Sequence, residues 1–263
     1  MGLGDYTEET FTHEGKTRRV FRRGDGPAVL VIAEMPGITP KVVEFADRVV
    51  DVGCTAVLPH LFGEPGAEVS AVSGVVTFGW GCVSREFVIL ATGRTSPITG
   101  WLRALGRHEH ERCGGPGIGA VGMCFTGGFA LALAVDDIML APVLSQPSLP
   151  FPVAKSRKRD LGISAADLSA VKERAADGLE VLGLRFTGDI ACPSERFARL
   201  REELGEAFVG VEIDSSPGNP HGIRKRAHSV LTDDFVDEPG HPTRDALDQV
   251  LAFLRARLLA PAG

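Results

Sequence analysis

The 263-residue chain lacks the features that mark several classes of protein. It has no apolar run approaching the roughly 18 residues of a membrane-spanning helix, and its opening residues do not follow the charged-then-apolar order of a signal peptide. Basic residues are scattered rather than grouped and the net charge is −6, which disfavours nucleic acid as a partner. We therefore expect a cytoplasmic protein that binds neither membranes nor nucleic acid.

Patterns of metal-binding and disulfide-forming residues are also missing. The five cysteines are widely spaced and include no CxxC pair, which fits neither a disulfide framework nor a zinc site. His108 and His110 are two residues apart on a predicted helix and do not share a face. Reduced thiols are expected, and we interpret Cys54 and Cys192 as small buried apolar side chains.

What is present indicates one α/β domain over residues 1–263. The chain is 44% hydrophobic and 24% charged, as in ordinary globular proteins. Short β-branched runs alternate with amphipathic helical patterns, which predicts a mainly parallel sheet with helices on both faces. Residues 1–27 contain a predicted hairpin, and the weak pattern of residues 61–97 predicts a lid or an irregular segment. The charged stretch KSRKRD, residues 155–160, predicts a solvated surface loop. The predicted parallel strands are 28–33, 55–59, 118–123, 141–145, 179–186 and 208–213.

The stretch GMCFTGG, residues 122–128, places Cys124 between a predicted strand and a predicted helix. In a tight strand-to-helix turn that is flanked by glycines, the central side chain points out of the sheet. The amino end of a helix favours a thiolate there and can receive an oxyanion. A core cysteine needs no such glycines, so we predict that Cys124 is a nucleophile. The overlapping GxGxxG of residues 117–122 lies inside the strand, which argues against a dinucleotide site.

A nucleophile on such a turn needs a base and an acid, which follow it in chain order. Asp189 stands in the loop after a predicted strand, although it could instead cap the next helix as a turn aspartate. His221 and His228 both follow the last predicted strand. We prefer His228 as the base, because the apolar residues that follow it would anchor its loop.

These motifs together resemble the dienelactone hydrolase family of α/β-hydrolases from about Ala28 onward. The resemblance rests on GMCFTGG, on AEMPGI (residues 33–38), on LRFTGDIACPSERF and on the late histidine. It implies an α/β-hydrolase fold and a triad of Cys124, His228 and Asp189. The chain departs from the family at Thr126, where a glycine is usual, so the turn is expected to be wider or its helix to pack differently.

The resemblance also implies roles outside the triad. In the family an acid after the early strand holds the resting thiol, and Glu34 occupies that place. The backbone N–H groups of Met35 and Phe125 would receive the oxyanion. An arginine of the family grips a substrate carboxylate. Its candidate counterparts are Arg85 and, as alternatives, Arg224 and Arg226.

The function implied is hydrolysis of a small ester or lactone, neutral or anionic, of the carboxymethylenebutenolidase type. It would proceed through an acyl-thioester and require no metal or organic cofactor. Activated esters and enol lactones suit a thiol better than amides, because the thiolate leaves its tetrahedral adduct more readily than an amine does. Two alternatives stay open: a catalytically silent ligand-binding homologue, and a thiol redox protein, which would need a resolving cysteine. The sequence leaves the oligomeric state undetermined.

Overall fold

The computed structural model describes residues 2–67, 97–152 and 154–259. Within these ranges eight strands form one sheet in the order β1-β2-β4-β3-β5-β6-β7-β8. The first two strands pair antiparallel, as do β2 and β4, and the other neighbours run parallel. This confirms the predicted mainly parallel sheet. The strands are β1 Thr7–His13, β2 Lys16–Arg23, β3 Ala28–Ile32, β4 Thr55–Pro59, β5 Ile118–Met123, β6 Met139–Ser145, β7 Val181–Phe186 and β8 Phe208–Ile213.

The helices begin where the sequence has capping residues. The Thr39 hydroxyl accepts a hydrogen bond from the Val42 N–H, and that of Ser164 accepts one from the Asp167 N–H, which satisfies otherwise unpaired donors. None of the helices in the described ranges is long and apolar enough to span a membrane. The helices are α1 Pro40–Asp51, α2 Pro97–Cys113, α3 Gly127–Leu133, α4 Lys155–Lys158, α5 Ala165–Ala176, α6 Ser194–Leu204 and α7 Pro242–Leu258.

Two expectations for surface segments differ from the structure or lie outside it. Residues 155–160 were expected to form a loop, but they contain the single turn α4, held by an ion pair of 3.0 Å between Lys158 and Glu195. Of the segment 61–97, residues 61–67 form turns and bends, and residues 68–96 lie outside the described residues.

The apolar core lies on both faces of the sheet. Successive side chains of a strand point to opposite faces, so Leu30 and Ile32 of β3 pack on one side and Val29 and Val31 on the other. Helices α1 and α7 cover the face of Val29, and α2, α3, α5 and α6 cover the opposite face. Each fully buried aliphatic side chain contributes roughly 1.5–3 kcal/mol, so the central strands form a rigid platform.

The carboxyl ends of the parallel strands meet along one edge of the sheet. Ile32 of β3 pairs with Gly122 of β5, and Met123 pairs with Ser145 of β6. The loops that follow these strands therefore start side by side, at the edge where open α/β sheets bind ligands.

Candidate active site

Cys124 directly follows β5, and its backbone is held in the left-handed region at φ +51°. This conformation is costly for a residue with a side chain. A Cβ atom at Gly122 would lie 2.4 Å from the Thr126 carbonyl oxygen, and one at Gly127 would lie 2.6 Å from the Pro147 Cα. Glycine is therefore required on both sides of Cys124, and the strained turn presents a half-buried thiol at the sheet edge.

Thr126 links this turn to the neighbouring strand. Its side chain is fully buried, and its hydroxyl donates to the Ile32 carbonyl at 2.7 Å and accepts from the Met123 N–H at 3.0 Å. The position where the family usually has glycine therefore carries a crosslink between the end of β3 and the turn that bears Cys124.

Asp189 lies in the loop after β7 and is almost fully buried. Its Oδ1 accepts hydrogen bonds from the N–H groups of Ala191 and Cys192, at 2.8 and 3.2 Å. Its Oδ2 lies 2.7 Å from the Nδ1 of His228. The carboxylate thus holds its own turn and also contacts the imidazole of His228.

His228 is also close enough to Cys124 for the thiol to raise the pKa of the imidazole, so the three predicted side chains lie together. Burial alone would lower the pKa of His228, but the hydrogen bonds and charges of Asp189 and Cys124 raise it to about 11. Since Nδ1 faces Asp189, Nε2 is the ring nitrogen available to the thiol. His221 does not join this group: it is exposed, and its ring centroid lies 5.4 Å from that of His241.

Ser148 is a further neighbour of the thiol, which sequence reasoning missed. Its Oγ lies 3.4 Å from the Cys124 Sγ, and its N–H donates to the Cys124 carbonyl at 2.9 Å. The hydroxyl is buried. The signal that could have found it is its position, since Ser148 closely follows the end of β6 at the same sheet edge.

Glu34 differs from its expected role. Its carboxylate accepts hydrogen bonds from the hydroxyls of Ser229 and Thr232 and from the Gln146 amide. The hydrogen bond described for the thiol is with Ser148, and His228 is a further neighbour. Burial raises the pKa of Glu34, an effect that the hydroxyl donors oppose.

Met35 and Phe125, the expected oxyanion donors, follow the ends of the adjacent parallel strands β3 and β5. The ring of Phe125 packs against two further aromatic side chains, Phe62 at 6.4 Å and Phe151 at 6.0 Å between centroids. Three aromatic side chains therefore pack together next to the turn that carries the thiol.

The three arginines expected to bind a substrate carboxylate lie in different surroundings. Arg85 lies outside the described residues. Arg224 is exposed and forms an ion pair with Asp234 at 2.7 Å, and Arg226 is exposed. Two buried arginines on the same edge, Arg185 and Arg196, are occupied by backbone carbonyls.

The other described cysteines near the sheet are structural. Cys54 and Cys192 are fully buried, and burial raises their pKa values to about 11 and about 12. Within residues 2–67, 97–152 and 154–259, no group of three His, Cys, Asp or Glu side chains is arranged to hold a metal ion.

Comparisons with known proteins agree with this architecture. A model of the dienelactone hydrolase family matches residues 18–258. No curated protein matches the chain. A proposed dienelactone hydrolase from Klebsiella pneumoniae subsp. pneumoniae is 16% identical at a TM-score of 0.63, covering 95% of this chain and 97% of its own. A dienelactone hydrolase from Anabaena variabilis is 15% identical at 0.60, covering 97% and 99%.

A third solved structure, an alpha-beta serine hydrolase homologue from Coxiella burnetii, is 12% identical at a TM-score of 0.54, covering 94% of this chain and 97% of its own. At these identities the solved structures show the fold, and the family model shows the family. The chain therefore belongs to the dienelactone hydrolase family, with the fold of the α/β-hydrolases, and this membership supports a hydrolase of esters or lactones.

Proposed function

We propose that the chain hydrolyses esters or lactones through a thiol nucleophile. The Cys124 thiolate attacks the carbonyl carbon, and the carbonyl oxygen becomes an oxyanion. Collapse of this adduct breaks the bond to the leaving oxygen, which takes a proton from His228. Water then attacks the acyl-thioester, His228 accepts its proton, and the thiolate leaves. Asp189 holds the imidazole ring and stabilises its positive charge.

The observation that carries this proposal is that Asp189 is hydrogen-bonded to His228 and that Cys124 lies near enough to raise the pKa of the same imidazole. These residues come from three separate loops, after β5, β7 and β8. A core cysteine has no reason to be met by a buried carboxylate and imidazole, since burying charged groups costs free energy. The raised pKa of His228, caused by these two partners against the effect of burial, favours an imidazolium near the Cys124 sulfur.

The oxyanion is proposed to bind the N–H groups of Met35 and Phe125. Support comes from the pairing of Ile32 with Gly122, which brings the residues after β3 close to those after β5. The Phe125 N–H also lies in the first turn after the strand, where backbone donors converge on an anion.

The substrate class is inferred from the thiol and from the walls of the site. A thiolate suits esters and lactones with good leaving groups. Phe62 and Phe151, half-buried against the ring of Phe125, favour an apolar substituent, because aromatic side chains gain free energy when they bury apolar surface. Of the described arginines, Arg185, Arg196 and Arg224 are engaged by carbonyls or carboxylates, which leaves the exposed Arg226 as a candidate to meet an anionic substrate.

Turnover of p-nitrophenyl acetate tests the function, with mass spectrometry of quenched reactions to locate the acetyl group. We expect turnover by the wild type, an acetyl adduct on the peptide that contains Cys124, and no turnover by Cys124→Ala. The matched control is Cys113→Ala, since Cys113 is a half-buried free thiol at the end of α2.

Other results would favour the alternatives. Full activity in Cys124→Ala would exclude this nucleophile. Ligand binding without any turnover by the wild type would favour a silent homologue. Oxidation of Cys124 by peroxide, without an acetyl adduct, would favour a redox protein.

A further inference from the structure

A buried polar cluster contacts the residues that follow His228. It consists of Glu34, Ser145, Gln146, Ser229 and Thr232, and each member is at most 7% exposed. These residues come from the end of β6, from the loop after β3 and from the loop that carries His228. Polar groups are costly to bury unless they are hydrogen-bonded, so their contacts indicate what the cluster does.

Glu34 binds the loop that follows His228. Its Oε2 accepts from the Ser229 hydroxyl at 2.7 Å, and its Oε1 accepts from the Thr232 hydroxyl. Both partners are nearly 200 positions away in the sequence, at separations of 195 and 198. The carboxylate therefore ties residues 229–232 to the end of β3.

Gln146 connects Glu34 to the backbone of the loop that follows His228. Its Nε2 donates to Glu34 at 3.3 Å, and its Oε1 accepts from the Ser145 hydroxyl and from the Val230 N–H, the latter at 3.4 Å. The side-chain amide thus contacts both the acid and the backbone of the loop. Its own backbone lies at φ +35°, a strained conformation for a residue other than glycine, of the kind that clusters at functional sites.

The loop is held from the opposite side as well. Asp234 accepts hydrogen bonds from the N–H groups of His228 and Ser229, at 2.7 and 3.1 Å. His228 therefore stands at the junction of two sets of contacts. Asp234 fixes its backbone, and Glu34 with Gln146 fixes the residues immediately after it.

We propose that Gln146, acting with Glu34, is a positioning residue that holds the loop of His228 so that the imidazole stays between Asp189 and Cys124. This rests on the proposed function for the identity of the base. In this arrangement the buried acid after β3 serves the base rather than the thiol.

Two near-isosteric variants test the proposal. Gln146→Met removes the amide and keeps the volume, and Thr232→Val removes one donor to Glu34. The matched control is Thr55→Val, because Thr55 is also fully buried and donates to the Gly26 carbonyl at 2.6 Å, at the amino end of β4. All are assayed at a temperature where circular dichroism shows them folded.

The first readout is alkylation of Cys124 by iodoacetamide, followed on its peptide by mass spectrometry across about pH 5 to 9. Alkylation depends on the imidazole beside the thiol and does not require ester turnover. We expect Gln146→Met and Thr232→Val to slow alkylation near neutral pH by about tenfold. Each variant loses a hydrogen bond that holds the loop, and the free energy of one hydrogen bond corresponds to about a tenfold change in rate. Thr55→Val is expected to react like the wild type.

The second readout separates kcat from KM with p-nitrophenyl acetate. A displaced base lowers kcat and leaves KM nearly unchanged. If both variants match Thr55→Val in alkylation and in kcat, whatever their melting temperatures, the cluster is only a satisfied part of the core and the proposal is overturned. Should Gln146→Met fail to fold, Thr232→Val decides. If the wild type shows no turnover, the proposed function fails, while the alkylation comparison still tests the positioning role.

Discussion

Replacing Asp189 by asparagine tests the proposed triad most sharply, because the structure fixes how the new amide would sit. The Oδ1 of Asp189 accepts two hydrogen bonds, from the N–H groups of Ala191 and Cys192. Only an oxygen can accept both, so the amide oxygen of the variant is expected to stay there. Its NH₂ group then faces the Nδ1 of His228.

This orientation would reverse the tautomer of the imidazole. The Nδ1 of His228 would have to accept a hydrogen bond, and the proton would move to Nε2, which faces Cys124. The ring could then no longer take the thiol proton. A hydrogen bond to a charged group contributes about 1.5–3 kcal/mol, which alone corresponds to roughly a ten- to hundredfold loss in rate. The wrong tautomer in a triad costs kcat about 10⁴-fold, so we expect kcat/KM to fall by about a thousandfold or more.

The assay is p-nitrophenyl acetate turnover by Asp189→Asn, compared with Asp47→Asn. Asp47 is a matched control because it is also buried and charged, accepting hydrogen bonds from Tyr6 and Arg23 at the other side of the molecule. Asp47→Asn is expected to keep wild-type kcat/KM. A loss of less than about fivefold in Asp189→Asn would refute the assignment of its carboxylate to the base.

Three further predictions follow from the same geometry. His228→Ala is expected to abolish turnover while His221→Ala keeps it, and equal losses in the two steady-state assays would contradict the choice of base. Thr126→Val removes the hydroxyl bound to the Ile32 carbonyl and is expected to lower the free energy of unfolding by about 1–3 kcal/mol in urea, whereas Thr126→Ser should cost less; equal stabilities would argue against the crosslink. Despite burial, hydrogen bonds to Asp189 and the thiol raise the pKa of His228 from 6.5 to about 11, so the folded chain keeps a proton that the unfolded chain releases across that window. The free energy of unfolding should therefore fall as pH rises. Between about pH 7 and 10, urea titrations should show a larger fall for the wild type than for His228→Gln. Equal falls in the two proteins would contradict the raised pKa of His228.

The sheet was predictable because its signals are local. Runs such as TAVLP and FVGVEI are bounded by turn residues, and the observed bounds of β4, β5 and β8 coincide with the predicted ones. Helix starts were likewise marked by Thr39 and Ser164. The expected loop at 155–160 was wrong at α4. The Arg196 side chain donates to the carbonyls of Arg157 and Asp160, 39 and 36 positions away, and no local pattern reveals such contacts.

Residues directly after a strand were also accessible to sequence reasoning. Cys124 follows β5 immediately, and Asp189 stands three residues beyond the end of β7, so the sheet itself brings their loops to one edge. The partners of Glu34 were not accessible in this way. Ser229 and Thr232 are nearly 200 positions from it, and no local pattern indicates which hydroxyl a buried carboxylate will meet.

The three triad residues therefore differ in what holds them. Residues 214–227 separate His228 from the end of β8, and a connection of that length has many conformations to lose before the imidazole is ordered. Strand geometry cannot impose that order, so it must come from contacts of the loop. Among these are the contacts of Asp234 on one side and of Glu34 and Gln146 on the other. A long loop that carries the base explains why the buried carboxylate of Glu34 is directed toward hydroxyls of that loop.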